Sequence, residues 1–304
     1  MKTLLVLLGP TAVGKTRLSL TLAQRFHCPV ISADSRQIYR GIEIGTAAPT
    51  PEERALVQHF FIGTKDLQET YSAGQYELDA MDLLQRLFVD HDYLLVTGGS
   101  MMYIDALCRG MDDIPRVPDE VRARVHADHA RLGLPAMLER LRQLDPVRYR
   151  QIDPHNTQRI LHAIEVSEYL GRPYSSILKG TAKQRPFRIV KIGLDRPREE
   201  LFARINQRVE EMMRQGLLEE ARRVYPLKGC NSLQTVGYRE LFDFMDGKVP
   251  SLEEAVRLIQ RNTRRYAKHQ LTWFRRDAEV HWFHPDRQAE ILQWLDTLSE
   301  NVGK

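Results

Sequence analysis

Apolar residues fall into short unbroken runs near the start of the chain and into helical spacings further on. Leu4 to Leu8 has the length of a buried strand, and Thr16 to Phe26 carries apolar residues at the period of a helix. A second run, Pro29 to Ser32, ends at Asp34. A third, Tyr93 to Val96, ends at Thr97-Gly98-Gly99-Ser100 and leads into a helical segment, Met101 to Leu107. Strand, loop and helix in that order predict an α/β core whose parallel strand ends converge on one edge, where such sheets place their ligands. The pattern changes near Gly110. From Met111 to Lys183 helical spacings prevail, as in Asp119 to Arg131 and Asn156 to Leu170, with no convincing strand. Phe187 to Leu194 restores a strand, and Pro197 to Gly216 predicts a long helix with proline at its start and glycine at its end. Leu252 to Phe274 predicts a further helix, and Val280 to Phe283 a last short strand. The expected organisation is a core in two parts, residues 1–110 and 190–304, interrupted by an inserted, mainly helical domain at 111–189.

A chain of 304 residues suffices for one large domain or two of ordinary size. With 42% hydrophobic and 28% charged residues it is neither disordered nor fibrous. No segment approaches the ~18 apolar residues of a membrane span, so no membrane partner is expected. The apolar run within Met1 to Pro10 is too short for a secretory signal. Cys28, Cys108 and Cys230 lie far apart without C-x-x-C spacing, which argues against a disulfide framework and against structural zinc. A reducing cytoplasm is the expected location. The net charge of +4 is mild, and its distribution matters more. Ala255 to Arg276 holds seven Lys or Arg and no acid, and Tyr169 to Leu194 holds six and no acid. Either stretch alone reads as readily as a solvated helix face; the two together favour a polyanionic partner.

Gly9-Pro10-Thr11-Ala12-Val13-Gly14-Lys15-Thr16 satisfies the P-loop pattern, with a strand before it and a helix after it. Its glycines let backbone N–H groups and a helix N-terminus surround phosphate oxygens, while Lys15 adds a charge and Thr16 a hydroxyl for magnesium. The fold expected is therefore P-loop NTPase-like. A kinase or NTPase is the first reading of such a loop, and it wants an acid closing a hydrophobic strand opposite Thr16. The Tyr93 to Val96 strand ends instead in Thr97 and two glycines. Asp34 closes another strand and does not discriminate, since it suits magnesium, a hydroxyl proton or a simple turn.

The wider text does discriminate. Asp34-Ser35-Arg36-Gln37-Ile38-Tyr39-Arg40-Gly41, Ile44-Gly45-Thr46-Ala47 and Gly98-Gly99-Ser100-Met101-Met102-Tyr103, all following that P-loop, resemble bacterial tRNA dimethylallyltransferases (tRNA isopentenyltransferases). The resemblance continues through Gln158-Arg159-Ile160, Leu194 to Val209, Val236-Gly237-Tyr238-Arg239-Glu240 and Thr263 to Arg276, nearly the whole chain. It implies transfer of a dimethylallyl group from dimethylallyl diphosphate to the exocyclic amine of the adenosine beside the anticodon on its 3′ side. On this resemblance Asp34 is the general base, Thr11 bonds the bridging oxygen, Arg208 joins Lys15 and Thr16 with magnesium at the pyrophosphate, and Arg204, one turn earlier, is an alternative to Arg208. Ser35, Arg36 and Gln37 with Asp34 would meet the flipped nucleotide and its neighbours. Ser100, Arg122, Gln158, Arg159, Ile160, Leu161 and His162, and on the basic helix Arg264, Arg265 and Lys268, would contact the tRNA anticodon stem-loop. Many relatives carry Thr where this chain has Ser100 and Arg where it has His162, and often Arg where it has His269. A monomer is expected. Three rivals stand beside this reading: a small-molecule kinase, an RNA-binding protein with a regulatory nucleotide, and a prenyltransferase acting on free adenine nucleotides. The last has no need of a helical insert or a basic helix.

Overall fold

A computed structural model describes residues 2–300 of the protein. Six strands, β1 (Thr3–Leu8), β2 (Val30–Ser32), β3 (His59–Phe60), β4 (Tyr93–Gly98), β5 (Arg188–Leu194) and β6 (Val280–Phe283), form one sheet. Their order is β3-β2-β4-β1-β5-β6, and every pairing is parallel. All of β1 is buried, which is why it reads as an apolar run instead of an alternation. The helices in chain order are α1 (Lys15–Arg25), the short α2 (Glu43–Thr46) and α3 (Pro51–Leu56), α4 (Ala73–Leu87) and α5 (Met101–Arg109). Then come α6 (Asp119–Leu144), α7 (Pro146–Gln151) and α8 (Thr157–Leu170). The last are α9 (Arg198–Arg214), α10 (Leu217–Val224), α11 (Tyr238–Met245), α12 (Leu252–Phe274) and α13 (Gln288–Glu300).

The chain divides into two compact units, one comprising Met1–Arg109 with Gln184–Lys304 and the other Gly110–Lys183. The first has two apolar clusters. One surrounds the sheet; the other gathers Ile38, Tyr39 and Ile42 from the segment after β2 with Val209, Leu217, Tyr238, Leu241 and Ile259 from α9 to α12. An ion pair buried on both sides, Arg185 Nη2 to Glu77 Oε1 at 2.8 Å, ties the approach to β5 onto α4, and Arg185 also donates to the Ala106 and Leu107 carbonyls at the end of α5.

The Gly110–Lys183 unit packs α6, α7 and α8 around Val125, Met137, Leu141, Ile160, Leu161 and Ile164. Its fully buried Asp145 caps α7 by accepting from Arg148 N at 2.9 Å and holds the turn after α8 by accepting from Ser175 N and Oγ, both at 2.7 Å.

Several boundaries differ from the expected ones. The insert expected to end at 189 closes at Lys183, because the residues from Gln184 on pack with the sheet and 189 falls inside β5. The strand expected to end at Val96 runs on through Gly98, since Thr97 and Gly98 pair with Leu7 and Leu8. The helix expected over Asp119 to Arg131 extends to Leu144, with a break at Gly133 (φ 77°, ψ 171°) two residues before Pro135.

Candidate active site

The P-loop crosses the carboxyl edge of the sheet between β1 and α1. Gly9 has φ +151°, and a Cβ there would stand 2.7 Å from the Leu194 carbonyl oxygen, so only glycine lets the loop leave β1 past the end of β5. Lys15 Nζ folds back to donate to the Gly9 and Pro10 carbonyls at 2.9 and 2.8 Å. On the other side of the loop, Arg204 Nε donates to the Ala12 carbonyl at 3.0 Å.

A cavity of about 370 Å³ opens at this edge. Its wall takes Thr11, Lys15 and Thr16 from the P-loop, Asp34 to Gln37 from the segment after β2, Thr97 to Gly99 from the end of β4, Arg208 from α9 and Gln270 from α12. Four basic side chains, Lys15, Arg36, Arg208 and Arg239, line it, and Asp34 is the one carboxylate among the described lining residues. Lys15, Arg208 and Asp34 act on one another. Burial and then the Arg208 charge push the Lys15 ammonium down to about 7, while Asp34 pulls it back up. Burial also holds the Arg208 guanidinium below its ordinary value, Asp34 opposing this and Arg204 adding to it. Such a floor is short of negative charge and suits a polyanion.

Asp34 is held by a turn of its own making: Oδ1 accepts from Arg36 N at 2.8 Å and from Gln37 N at 3.3 Å. The same segment is pinned to the end of β4, where Ala33 N donates to Thr97 O at 2.7 Å and Ser100 N to Ala33 O at 3.1 Å. Ser100, only 7% exposed, accepts from Ser35 N at 2.7 Å and donates to Ser35 Oγ at 2.9 Å. Thr97, where an NTPase would offer an acid, turns a buried hydroxyl toward no protein partner.

The sequence-derived residues separate by place. Thr11, Lys15, Thr16, Asp34, Ser35, Arg36, Gln37 and Arg208 meet in the cavity, whereas Arg204 supports the loop from behind. Two expectations need correction. Ile160 and Leu161, expected to face RNA, are 0% and 1% exposed in the core of the insert, because the apolar stripe of α8 points inward and leaves Gln158 and Arg159 on the exposed side. Ser100 is a buried strut for Ser35 and offers no outer surface. Gln37 spends its amide on the framework, donating to Thr46 O and Ala47 O at 3.2 and 3.1 Å and accepting from Ser32 Oγ at 3.1 Å. Arg122 and His162 both lie 3.8 Å from buried Glu165, whose carboxyl is lowered despite its burial by bonding and charge from His162 and further charge from His126 and Arg122. On α12, Arg265 and Lys268 are exposed, while Arg264 donates to Asn206 Oδ1 at 2.6 Å and lies over the Phe202 ring. His269 is exposed on the same helix beside Trp273.

Two residues escaped the sequence reading. Buried Glu220 on α10 accepts from Ile44 N at 2.9 Å, Gly45 N at 2.8 Å and Tyr238 Oη at 2.6 Å, fixing the wall at Gly45 to Ala47. Gln270 bridges two loops of the site. In sequence both look like ordinary polar helix positions, and only their burial marks them.

Residues 37–277 match the family described as IPP transferase, which is most of the chain. The chain belongs to the IPP transferase family. Among its curated relatives, a tRNA dimethylallyltransferase 2 of Porphyromonas gingivalis is 57% identical over 97% of this chain and 98% of its own length. A tRNA dimethylallyltransferase 1 of Phocaeicola vulgatus is 51% identical over 98% and 99%. The crystal structure of the full-length tRNA isopentenylpyrophosphate transferase from Bacillus halodurans superposes with a TM-score of 0.73 at 36% identity, covering 99% of this chain and 98% of that one. A eukaryotic dimethylallyltransferase acting on tRNA gives a TM-score of 0.77 at 26% identity, over 90% and 70%. As a member of the IPP transferase family the chain has the P-loop NTPase-like fold, and its cavity is read below as a transferase site.

Proposed function

We propose that the protein transfers a dimethylallyl group from dimethylallyl diphosphate to the exocyclic amine of the adenosine 3′-adjacent to the anticodon in tRNA, releasing pyrophosphate. One observation carries the reading: a single carboxylate, Asp34, shares a cationic cavity with Lys15 and Arg208, and the position that would hold a nucleotide's magnesium in an NTPase is Thr97. Breaking an allylic carbon–oxygen bond leaves negative charge on pyrophosphate and positive charge on the allyl carbon. Lys15, Arg208 and the free amides of the P-loop stabilise the departing pyrophosphate as that charge develops. The adenine amine forms the new carbon–nitrogen bond and gives up one proton, which Asp34 accepts through the carboxylate edge that does not hold the turn. Magnesium fits the donors present: Thr16 offers a hydroxyl at the cavity, and this cation habitually takes one or two protein ligands with the rest from phosphate and water. When bound, it would neutralise charge on the diphosphate.

A stacked base cannot enter a cavity of this size with its neighbours, so the adenosine must be extruded into it. Arg36 lines the wall and donates through Nη1 to Asn231 O at 2.7 Å, which supports reading it as a contact for the extruded nucleotide. Arg265 and Lys268 supply exposed charge for the RNA backbone, and exposed Gln158 and Arg159 present polar groups on the insert. The protein is read as a cytoplasmic monomer. No described helix is long and apolar enough to cross a membrane, and Cys28, Cys108 and Cys230 are free thiols.

Labelled dimethylallyl diphosphate incubated with total tRNA and, separately, with AMP tests the reading. Label is expected in tRNA alone, and ATP is expected to remain intact in the presence of tRNA. Label on AMP, or steady ATP turnover, would replace the reading. For the RNA surface, Arg265→Gln combined with Lys268→Gln is expected to flatten the plot of log affinity against log salt by roughly 0.7 to 0.9 per contact removed. An unchanged slope would move the RNA away from α12.

A further inference from the structure

Gln270 is a carboxamide on a strongly basic helix, and it is only 2% exposed. Both ends of its side chain are engaged. Oε1 accepts from Thr11 N at 2.9 Å, and Nε2 donates to Gly99 O at 2.8 Å. These partners dictate which way the amide points, since one is a donor and the other an acceptor. They also dictate the residue type. A carboxylate cannot donate to Gly99, an ammonium or guanidinium cannot accept from Thr11, and an apolar side chain would leave a loop N–H and a carbonyl unpaired.

The bond at Thr11 has a consequence for the anion site. That amide is committed to Gln270, so it is withdrawn from the set of loop amides facing a phosphate, and the Thr11 side chain is fixed on the cavity wall. Gly99 completes the fit: a Cβ built there would collide with Gln270 Nε2. Gln270 thus clasps the P-loop to the end of β4 from a helix whose exposed side carries Arg265 and Lys268.

We propose that Gln270 is a positioning residue for the prenyl donor: by holding Thr11 and Gly99 together it sets the height of the P-loop at the cavity, and hence the grip on the diphosphate. The inference rests on the transferase reading above and adds to it a residue that acts through the two loops. Donor recognition is then tied to the seating of α12, the helix that also carries the proposed RNA contacts.

Calorimetric titration with inorganic pyrophosphate and magnesium, and transfer kinetics on an anticodon stem-loop, test it on Gln270→Leu, Gln270→Glu, Gln270→Ala, Gly99→Ala and the Gly99→Ala/Gln270→Ala pair. Gln270→Leu is expected to weaken pyrophosphate about tenfold and to raise the KM for dimethylallyl diphosphate in proportion, with the KM for the stem-loop moved by less than about twofold. Gln270→Glu keeps the acceptor for Thr11 but turns an anionic oxygen on the Gly99 carbonyl and adds negative charge beside the anion site, so it should weaken pyrophosphate at least as much as Gln270→Leu. Gly99→Ala should reproduce the loss by displacing the amide. Once residue 270 is alanine the space is open, so the pair should be no worse than Gln270→Ala alone. Unchanged pyrophosphate affinity in Gln270→Leu, equal loss of donor and RNA affinity, or additive losses in the pair would each overturn the proposal. Should Gln270→Leu fail to fold, Gly99→Ala and the pair carry the same comparison. If the parent transfers nothing to the stem-loop while the pyrophosphate results hold, the transferase reading fails, and what stands of the proposal is that Gln270 positions the P-loop for a diphosphate.

Discussion

Replacing Asp34 by asparagine is expected to lower kcat by roughly two to four orders of magnitude while leaving RNA affinity within about threefold. The substitution is unusually clean here. Oδ1 of Asp34 holds the turn by accepting from Arg36 N and Gln37 N, and an asparagine Oδ1 accepts those bonds equally well. Arg36 and Gln37 therefore keep their places, and what disappears is the negative charge and the proton acceptor. An amide at this position cannot take the proton that the adenine amine must lose. Circular dichroism and a stem-loop binding curve check the scaffold, and single-turnover rates measure the step. A rise confined to the KM for RNA would make Asp34 a binding group and send the search for the base elsewhere.

Lys15→Ala is expected to reduce turnover by about 10²–10³, the scale for removing one preorganised group that faces developing negative charge. A measurable proton change should accompany the loss. In the empty protein the Lys15 ammonium is lowered from 10.5 to about 7, so at pH 8 it is largely neutral. A bound polyanion raises it again, so pyrophosphate binding at pH 8 should take up more protons in the parent than in Lys15→Ala, and the difference should shrink towards pH 6 where the group is already charged; the proton exchange of pyrophosphate itself is common to both. Titration in buffers of different ionisation enthalpy measures the difference. Equal proton uptake by parent and variant at pH 8 would assign the change to groups other than Lys15. The same shift bears on stability. A folded value below the unfolded one means that the unfolded chain holds the extra proton between about pH 7 and the ordinary lysine range, so this group's contribution to stability rises as the pH climbs through that window.

The parts of the fold legible in sequence are those specified locally. Leu252–Phe274 and Val280–Phe283 stand at their expected limits, the former because Ser251 caps the helix by accepting from Glu254 N and an apolar stripe runs its length. The P-loop was legible because few residue types tolerate its backbone. What stayed hidden is non-local. His59–Phe60 is too short to show an alternation, yet it pairs with β2 and forms the edge of the sheet. The position of β1 between β4 and β5 depends on pairs of residues 90 and 185 apart in the chain. In the site, Asp34, Lys15 and Arg208 could be named from motifs, but Glu220 and Gln270 could not, because a buried polar residue whose partners lie on distant loops reads like any solvated position. Ile160 and Leu161 show the opposite failure. The motif text placed them at the RNA, while the helical period of Ile160, Leu161 and Ile164 already pointed them into a core.

The sheet order has a further meaning during synthesis. A ribosome delivers Thr3–Leu8 before the rest of the sheet, but one of the two neighbours of that strand, Arg188–Leu194, emerges only after the whole Gly110–Lys183 unit has been made. Through that interval the nascent chain presents a strand that is apolar from Leu4 to Leu8 with one side of its backbone unpaired, the feature that invites pairing with another chain. The insert, contiguous and helical, collects its partners from its own sequence and waits for nothing downstream. The vulnerable moment in the making of this enzyme therefore belongs to the unit that carries the sheet, and it ends only when Leu194 has emerged.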